Sequence, residues 1–210
     1  MNGYPGAQLH PSPNYRQNRR AAIDHVVIHT TELDLAQSLR VLTDPDRTVI
    51  NENGEIEPAP VSAHYLVSAD QIYQLVDEGN EAWHARNANR HTIGVEIVGR
   101  AANPSTWSPG IVAQLSRLFA WLSSYHGIPL IHQDESTNPN ATTQTPPAAA
   151  RGFVSHGALD PSRRSDPGMW FPWNQIKQNA IQIQSGTTPS AAGPIAAAIL
   201  LAIGLAWVIK

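Results

Sequence analysis

The sequence predicts an α/β domain in which a mixed central β-sheet is flanked by helices. Two kinds of segment lead to this prediction. Short runs rich in apolar and β-branched residues are typical of buried strands, and they occur at residues 23–29, 62–67, 71–76 and 92–98. Segments with apolar residues at helical spacing lie between or after these runs, at residues 33–42, 108–127 and 173–183.

The amino-terminal part of the chain, residues 1–20, is rich in proline, asparagine, arginine and glutamine and shows no periodicity. We therefore expect an arm that lies on the domain. The first strand follows, because residues 26–28 form the β-branched run Val-Val-Ile. This strand ends at His29, and active sites are commonly built where a strand meets its loop.

The clearest helix begins at Ser108, a capping residue, with Pro109 in its first turn. Its apolar residues form one stripe that we interpret as core, made of Ile111, Leu115, Leu118, Phe119 and Leu122. Gly127 tolerates a positive φ and is predicted to end the helix. The long segment at about residues 133–150 is then expected to line a substrate groove, and the helix at 173–183 closes the domain.

The carboxyl-terminal residues 184–210 divide into two parts. Residues 184–193 have the composition of a flexible linker. Residues 194–210 are almost entirely apolar and end in Trp207 and Lys210, residue types that suit a membrane interface. Because a helix that is apolar all round has no face for solvent, we predict a transmembrane or membrane-anchoring helix. A helix docked on the domain is the alternative.

Composition narrows the function. The chain has 210 residues, with 14 Lys and Arg against 17 Asp and Glu and a net charge of −3, so no nucleic-acid partner is expected. Cysteine is absent, which excludes disulfides and limits any metal site to histidine and carboxylate ligands. The first residues lack the basic and apolar segments of a secretory signal, and we expect a monomer.

The most informative segment runs from His156 to Gly168. Its prolines and glycines break both helix and strand ladders, and His156 stands ten residues before Asp166. Imidazole and carboxylate are ordinary ligands of Zn²⁺, which for catalysis needs about three protein ligands and one open position. His29 is the best candidate for the third ligand, and His132 is its main rival.

Five motifs in a fixed order carry a resemblance to a known family. They are VIHT at residues 27–30, VSAHYLV at 61–67, AWHA at 82–85, TIGVEIV at 92–98 and the segment 156–168. Together they resemble the zinc-dependent N-acetylmuramoyl-L-alanine amidases, whose superfamily includes peptidoglycan recognition proteins and phage lysozyme-type amidases. The resemblance covers about residues 20–180.

The resemblance implies a peptidoglycan hydrolase with residues 21–183 as its catalytic domain and bacterial peptidoglycan as its partner. Such an enzyme cleaves the amide bond between N-acetylmuramic acid and the L-alanine of the stem peptide. The resemblance implies a zinc-activated water, with the Zn²⁺ held by His29, His156 and Asp166. Glu96 matches the family's catalytic glutamate, which implies a general base. A carboxylate in a strand buried on both faces also needs a reason, although pairing with an arginine is the alternative.

Two positions depart from the family pattern. Arg164 stands where many members carry a lysine that stabilises the oxyanion. Its fixed charge can hold developing negative charge, but it cannot donate a proton. Arg163 is the neighbouring alternative for this role, and a surface salt bridge is the other interpretation of either arginine. Ala63 replaces a tyrosine of the phage lysozyme-type members, so that role passes to Glu96 or is missing.

Three further residues match family motifs and are candidates for binding the substrate. Trp83 and His84 are expected to form a wall of the groove, where His84 is able to hydrogen-bond the substrate or the oxyanion. His64 is either a substrate residue or one that packs behind the site.

The resemblance allows either a phage endolysin or a wall-remodelling enzyme. We expect a protein anchored through its C-terminal helix and acting at the cell wall, whereas an endolysin would first lie in the host cytoplasm. One alternative is a non-catalytic peptidoglycan-binding module, but such relatives typically lose a metal ligand and all three are present here. The other is a zinc peptidase acting within the stem peptide, and no His-Glu-x-x-His pattern supports it.

Overall fold

The computed structural model describes residues 1–133 and 151–187, and the statements below concern that part of the chain. Its strands are, in chain order, β1 (Gln8–Leu9), β2 (Tyr15–Arg16), β3 (His25–Thr30), β4 (Thr48–Ile50), β5 (Ile56–Pro58), β6 (Tyr65–Val67), β7 (Ile72–Gln74), β8 (Glu81–Ala82), β9 (Thr92–Ile97), β10 (His132–Gln133) and β11 (Gly152–Ser155). Within these described residues, seven strands form one sheet in the order β1-β7-β6-β9-β3-β11-β10. The remaining strands form the pairs β2–β8 and β4–β5.

The central sheet is mixed. β6 and β7 are antiparallel, whereas β3 pairs in parallel with β9 on one side and with β11 on the other. Every residue of β3 is buried, as is usual for a parallel strand covered on both faces. The carboxyl ends of β3, β9 and β11 lie at one edge of the sheet, and side chains at these ends therefore come close together.

Helices cover both faces of this sheet. They are α1 (Leu35–Thr43), α2 (Pro109–His126), α3 (His156–Leu159) and α4 (Trp173–Gln184), with two 3-10 turns at Arg86–His91 and Pro104–Thr106. α2 and α4 pack on one face over alternate residues of β3 and β9. α1, α3 and the first 3-10 turn contribute to two smaller clusters on the other face. The predicted α/β fold with a mixed sheet between helices is confirmed.

The helix α2 has the ends that the sequence predicts. The side chain of Ser108 accepts a hydrogen bond from the N–H of Ile111 at 3.4 Å, and Pro109 is the first helical residue. Gly127 ends the helix with a φ of 61°. All five residues of the predicted apolar stripe are buried. Capping and periodicity therefore sufficed to place this element.

The strand β11 is central to the sheet but is not predicted by the sequence pattern. It has four residues, Gly152–Ser155, all of them buried. Gly152 begins it with a φ of 154°, and a Cβ atom there would lie 2.4 Å from the backbone oxygen of Ile131. A run this short that begins with glycine shows no readable periodicity. The amino-terminal residues 1–20 also form strands, since β1 pairs with β7 and β2 pairs with β8.

The membrane helix predicted for residues 194–210 is not supported. Those residues lie outside the described part of the chain, as do residues 134–150 of the predicted groove loop. Among the described residues, no helix has the length and apolar character needed to cross a bilayer. The apolar run at 195–209 is itself shorter than the ~20 residues that a span requires. The predicted membrane localisation is therefore wrong, and membrane anchoring through a C-terminal helix is not supported.

Candidate active site

The register of two strands places His29 and Glu96 side by side. His29 is the fifth residue of β3 and Glu96 the fifth of β9, and their Cα atoms are direct partners in the parallel pair. The alternate residues of both strands enter the core beneath α2 and α4. Because side chains alternate along a strand, His29 and Glu96 project from the opposite face, near the carboxyl edge of the sheet.

Backbone contacts hold His156 and Asp166 together. β11 ends at Ser155, whose hydroxyl accepts a hydrogen bond from the N–H of Ala158 at 3.0 Å and caps α3. This cap makes His156 the first residue of α3, directly beside the end of β3. The N–H of Gly157 donates to the backbone oxygen of Asp166 at 2.9 Å. The segment therefore folds back and brings Asp166 next to His156.

Three potential ligand atoms converge at this edge. The Nδ1 atoms of His29 and His156 are 2.9 Å apart, and Oδ2 of Asp166 lies 3.2 Å from the Nδ1 of His156 and 3.4 Å from that of His29. A tetrahedral zinc ion with bonds of ~2.0–2.1 Å holds its ligand atoms roughly 3.3 Å apart. The spacing of the three atoms therefore fits a zinc ion, and the cluster has the composition of a metal site.

The protonation of these groups suits metal binding. Burial lowers the pKa of His29 to about 4, and the neighbouring His156 adds to the shift while Asp166 opposes it. Burial raises the pKa of Asp166, but its close contacts with the rings of His156 and His29 outweigh this effect and hold the pKa below its usual range. At neutral pH the site therefore offers a neutral imidazole and an ionised carboxylate, the forms that bind metals.

A chain of hydrogen bonds fixes which nitrogen of His29 carries the proton. The hydroxyl of Thr92 donates its single proton to the backbone oxygen of Ala88 at 2.9 Å. It must therefore accept from Nε2 of His84, 3.2 Å away. Burial and the neighbouring His29 lower the pKa of His84 well below its usual value, so its Nδ1 is unprotonated and accepts from Nε2 of His29 at 3.0 Å. The lone pair of His29 is thereby left on Nδ1, the atom that faces His156 and Asp166.

A glycine in β9 leaves space for the ring of His84. A Cβ atom built on Gly94 would lie 2.5 Å from Cγ of His84. The N–H of Gly94 donates to Nδ1 of His64 at 2.9 Å. Any larger residue at this position would displace His84 and with it the hydrogen bond to His29.

Glu96 has the character expected of a base. Its Oε2 atom is buried and has no hydrogen-bond partner among the described residues. Burial and the nearby charge of Asp166 raise the pKa of Glu96 to about 8, although Arg164 acts in the opposite direction. Burying a carboxylate oxygen without a hydrogen-bond partner costs free energy. The position of Glu96 beside His29 and Asp166 therefore indicates a reacting group rather than a packing residue.

The two candidate arginines have different surroundings. Arg163 forms an ion pair with Asp160, which occupies its guanidinium. Arg164 lines the cleft beside Glu96 and Asp166, and within the described residues its guanidinium makes no hydrogen bond or ion pair. Of the two arginines, Arg164 is the one whose guanidinium is able to stabilise negative charge that develops on a ligand in the cleft.

These groups surround an open cleft of about 380 Å³. Trp83 forms part of its wall, as the sequence predicts, and its backbone N–H is held by the hydroxyl of Ser62 at 2.9 Å. The cleft is further lined by Thr31, Glu32, Leu33, Arg47 and Ala101. An apolar ring and several polar groups therefore line one open cleft, as is usual for a ligand site.

Two histidines that the sequence singles out lie away from the cleft. His64 is 0% exposed, and it accepts from Gly94 while Nη2 of Arg19 lies 2.8 Å from its Nε2. It therefore packs behind His84 and does not reach a substrate. His132 stacks on Trp173 with ring centroids 4.8 Å apart, and it is not a member of the metal cluster.

Thr92 is a residue beside the site that the sequence analysis does not identify. It begins β9, and by strand alternation it shares a face with Gly94 and Glu96. This alternate spacing from Glu96 is the only feature of the sequence that indicates a position of Thr92 near the site. The hydrogen bond to His84 depends on where the 3-10 turn before β9 places Ala88, which local pattern does not reveal.

Comparisons with a family model and with a characterised relative both point to the same family. The family model described as N-acetylmuramoyl-L-alanine amidase matches residues 18–169. N-acetylmuramoyl-L-alanine amidase A of Achromobacter lyticus is 35% identical over 152 residues, which cover 71% of this chain and 78% of the relative.

Solved structures share the fold. The complex of the N-acetylmuramyl-L-alanine amidase AmiD from Escherichia coli with the substrate anhydro-N-acetylmuramic acid-L-Ala-D-γ-Glu-L-Lys has a TM-score of 0.52 at 27% identity, over 82% of this chain and 62% of that one. A crystal structure of a selenomethionine derivative of AmpD has a TM-score of 0.60 at 21% identity, over 84% of this chain and 95% of that one. At that identity the likeness to AmpD concerns the fold alone.

Proposed function

We propose, from the premise that the chain belongs to the N-acetylmuramoyl-L-alanine amidase family, that it works with a zinc ion held by His29, His156 and Asp166. The protein is a hydrolase of peptidoglycan that cleaves the amide bond between N-acetylmuramic acid and L-alanine. The observation that carries the zinc proposal is the convergence of two imidazole nitrogens and one carboxylate oxygen at 2.9–3.4 Å. When bound there, zinc supplies a Lewis acid that lowers the pKa of water toward ~7 and polarises a carbonyl.

Glu96 is the general base of this proposal. It takes the proton of the attacking water and returns one to the leaving nitrogen of alanine. Two features support the role: the oxygen Oε2 has no hydrogen-bond partner in the described part of the chain, and burial beside Asp166 raises the pKa of Glu96, so its carboxyl group binds a proton more strongly than an ordinary glutamate does. Arg164 stabilises the oxyanion through its fixed charge, because its guanidinium faces the cleft without another partner in the described structure.

His84 and Thr92 act through His29 in this proposal. The sequence places His84 among the residues that bind substrate, yet both of its ring nitrogens are occupied, by Thr92 and by His29. We therefore assign His84 to positioning: it holds the proton of His29 on Nε2 and keeps Nδ1 free for the metal. Such outer partners of a metal-bound histidine commonly change metal affinity or activity by ~10–100-fold.

Replacing Thr92 with valine tests this positioning chain. The valine cannot accept from Nε2 of His84, so the tautomer of His29 is no longer fixed, and we expect zinc affinity to fall by roughly 10–100-fold. Thr92→Ser is the matched control, because its hydroxyl preserves the bond. Zinc affinity is measured by competition with a chromogenic chelator. An unchanged affinity in Thr92→Val would remove Thr92 and His84 from the control of the metal site.

The proposed function is tested on isolated bacterial cell walls. We expect the purified protein to release fragments with a new lactyl carboxyl group on the sugar and a free amine on alanine, as identified by mass analysis. A chelator should abolish the release, and added zinc should restore it. New termini between two amino acids of the stem peptide would instead indicate a zinc peptidase, and release that persists in the chelator would contradict the zinc proposal.

A further inference from the structure

A second cluster of metal-binding side chains lies at the opposite end of the sheet from His29. His25 begins β3 and His91 immediately precedes β9, so both stand at the amino ends of the strands that carry His29 and Glu96. Four steps of extended strand separate His25 from His29, which is about 13 Å at ~3.3 Å per residue. The two clusters are therefore too far apart to share an ion.

Three donor atoms meet in this second cluster. Oδ1 of Asp24 lies 2.7 Å from the Nδ1 of His25 and 2.8 Å from the Nδ1 of His91. One potential ligand atom from each of the three residues lies within 4.8 Å of the other two. The donor set of two imidazole Nδ1 atoms and one carboxylate oxygen is chemically the same as the set at the active site. None of these residues lines the active-site cleft.

The backbone holds the three residues in place before any ion binds. The N–H of Asp24 donates to the backbone oxygen of His91 at 3.0 Å, and the backbone oxygen of Asp24 accepts from Gly152 at 3.2 Å. His25 is the Cα partner of Thr92 in the pairing of β3 with β9. His25 therefore lies in the first strand position of β3, and hydrogen bonds hold Asp24 and His91 directly beside the start of the β3–β9 pair, which reduces the entropy lost when an ion binds.

The cluster is open to solvent and carries negative charge. The side chain of Asp24 is 40% exposed, and that of His91 is 12% exposed, so an ion has access and water is able to complete its coordination. Burial raises the pKa of Asp24, but the hydrogen bonds from His25 and His91 lower it by more. The pKa of Asp24 therefore lies below its usual value. The carboxylate is consequently ionised at neutral pH, as a metal ligand must be.

We propose that Asp24, His25 and His91 bind a second divalent metal ion, of the zinc class, that joins the amino ends of β3 and β9. The two distances from Oδ1 of Asp24 are about 0.5 Å shorter than the ~3.3 Å edge of a tetrahedral zinc site, so the exposed Asp24 side chain must move outward when an ion binds. Each imidazole then coordinates through an unprotonated Nδ1 and carries its single ring proton on Nε2. Because the site exists only in the folded chain, the ion stabilises the fold.

A metal-free network, in which both imidazoles donate to Asp24, is the competing arrangement. The variant Asp24→Asn distinguishes the metal site from this metal-free network. The amide oxygen that it introduces still accepts from both imidazoles, but it lacks the charge of a good zinc ligand. Asp24→Asn is therefore expected to fold normally and yet to bind the second ion at least ~10-fold more weakly.

The test counts the zinc equivalents that each full-length protein retains after gel filtration. We expect two for the wild type, one for His156→Ala, one for His91→Ala and none for the double variant. His10→Ala, which removes an exposed histidine, is the matched control and should retain two. In the His156→Ala background, added zinc should raise the melting temperature by several degrees, and Asp24→Asn should remove that rise.

Two outcomes overturn the second site. One is a single equivalent in the wild type with none in His156→Ala, and the other is full retention of two equivalents by Asp24→Asn. The proposed function is judged separately, because His91→Ala and Asp24→Asn leave the cleft intact and should keep the wild-type lytic rate. A fully active His156→Ala would contradict the catalytic assignment without touching this site.

Discussion

Loss of the catalytic zinc together with lytic activity is the expected result of His156→Ala, and equally of His29→Ala and Asp166→Ala. Each variant leaves two of the three convergent donors, and two ligands hold a catalytic zinc far more weakly than three. We expect turnover on isolated cell walls to fall by about 10³-fold or more. Turnover is measured by release of soluble wall fragments, and metal content by elemental analysis.

His132→Ala is the control for these ligand variants. His132 stacks on Trp173 away from the cluster, so its removal should leave both zinc content and turnover close to those of the wild type. If any one of the three ligand variants keeps both its catalytic zinc and its turnover, that residue is wrongly assigned. Loss of zinc in His132→Ala would restore this histidine as a rival ligand.

The second large effect is expected from Glu96→Gln. The variant keeps the shape of the side chain but cannot accept a proton, and general bases typically contribute ~10²–10⁴-fold to rate. We therefore expect the lytic rate to fall by that factor while the zinc content stays unchanged. An unchanged rate would exclude Glu96 from the reaction, and a loss of zinc would make it a ligand instead of a base.

The same variant is expected to stabilise the metal-free fold at high pH. The folded-state pKa of Glu96, about 8, lies above the ordinary value of 4.5. The wild type therefore loses stability as pH rises from about 4.5 through 8, because the ionised carboxylate is disfavoured where it is buried. The glutamine side chain of the variant has no such ionisation. The denaturation midpoint of Glu96→Gln, measured with the metal removed, should exceed that of the wild type by more at pH 9 than at pH 5. An equal difference at both pH values would contradict this environment for Glu96.

Local pattern was enough to name the three residues that converge in the structure, but not to explain why they converge. His29 was recognisable as the end of a β-branched run. His156 and Asp166 stood out because the prolines and glycines of their segment predict irregular structure, although its first four residues form the short helix α3. What the sequence could not give was the pairing of β3 with β9 and with β11, since strand pairing depends on contacts between distant parts of the chain. That pairing sets His29 opposite Glu96.

The roles of the neighbouring histidines were beyond sequence reasoning for a related reason. His64 and His84 both occur in motifs, but their roles depend on which polar atoms surround each ring. Gly94 admits the ring of His84 and donates its N–H to His64, and neither contact has a signature in local pattern. The prediction of a membrane helix rested on apolar composition alone, and residues 194–210 lie outside the described part of the chain.

The most direct test of the central claim is a crystal of the zinc-loaded protein measured at the zinc absorption edge. We predict an anomalous difference peak within ~2.0–2.2 Å of Nδ1 of His29, Nδ1 of His156 and Oδ2 of Asp166. A zinc peak at the cleft that contacts the Nε2 atoms, or a cleft without zinc while activity persists, would contradict the account.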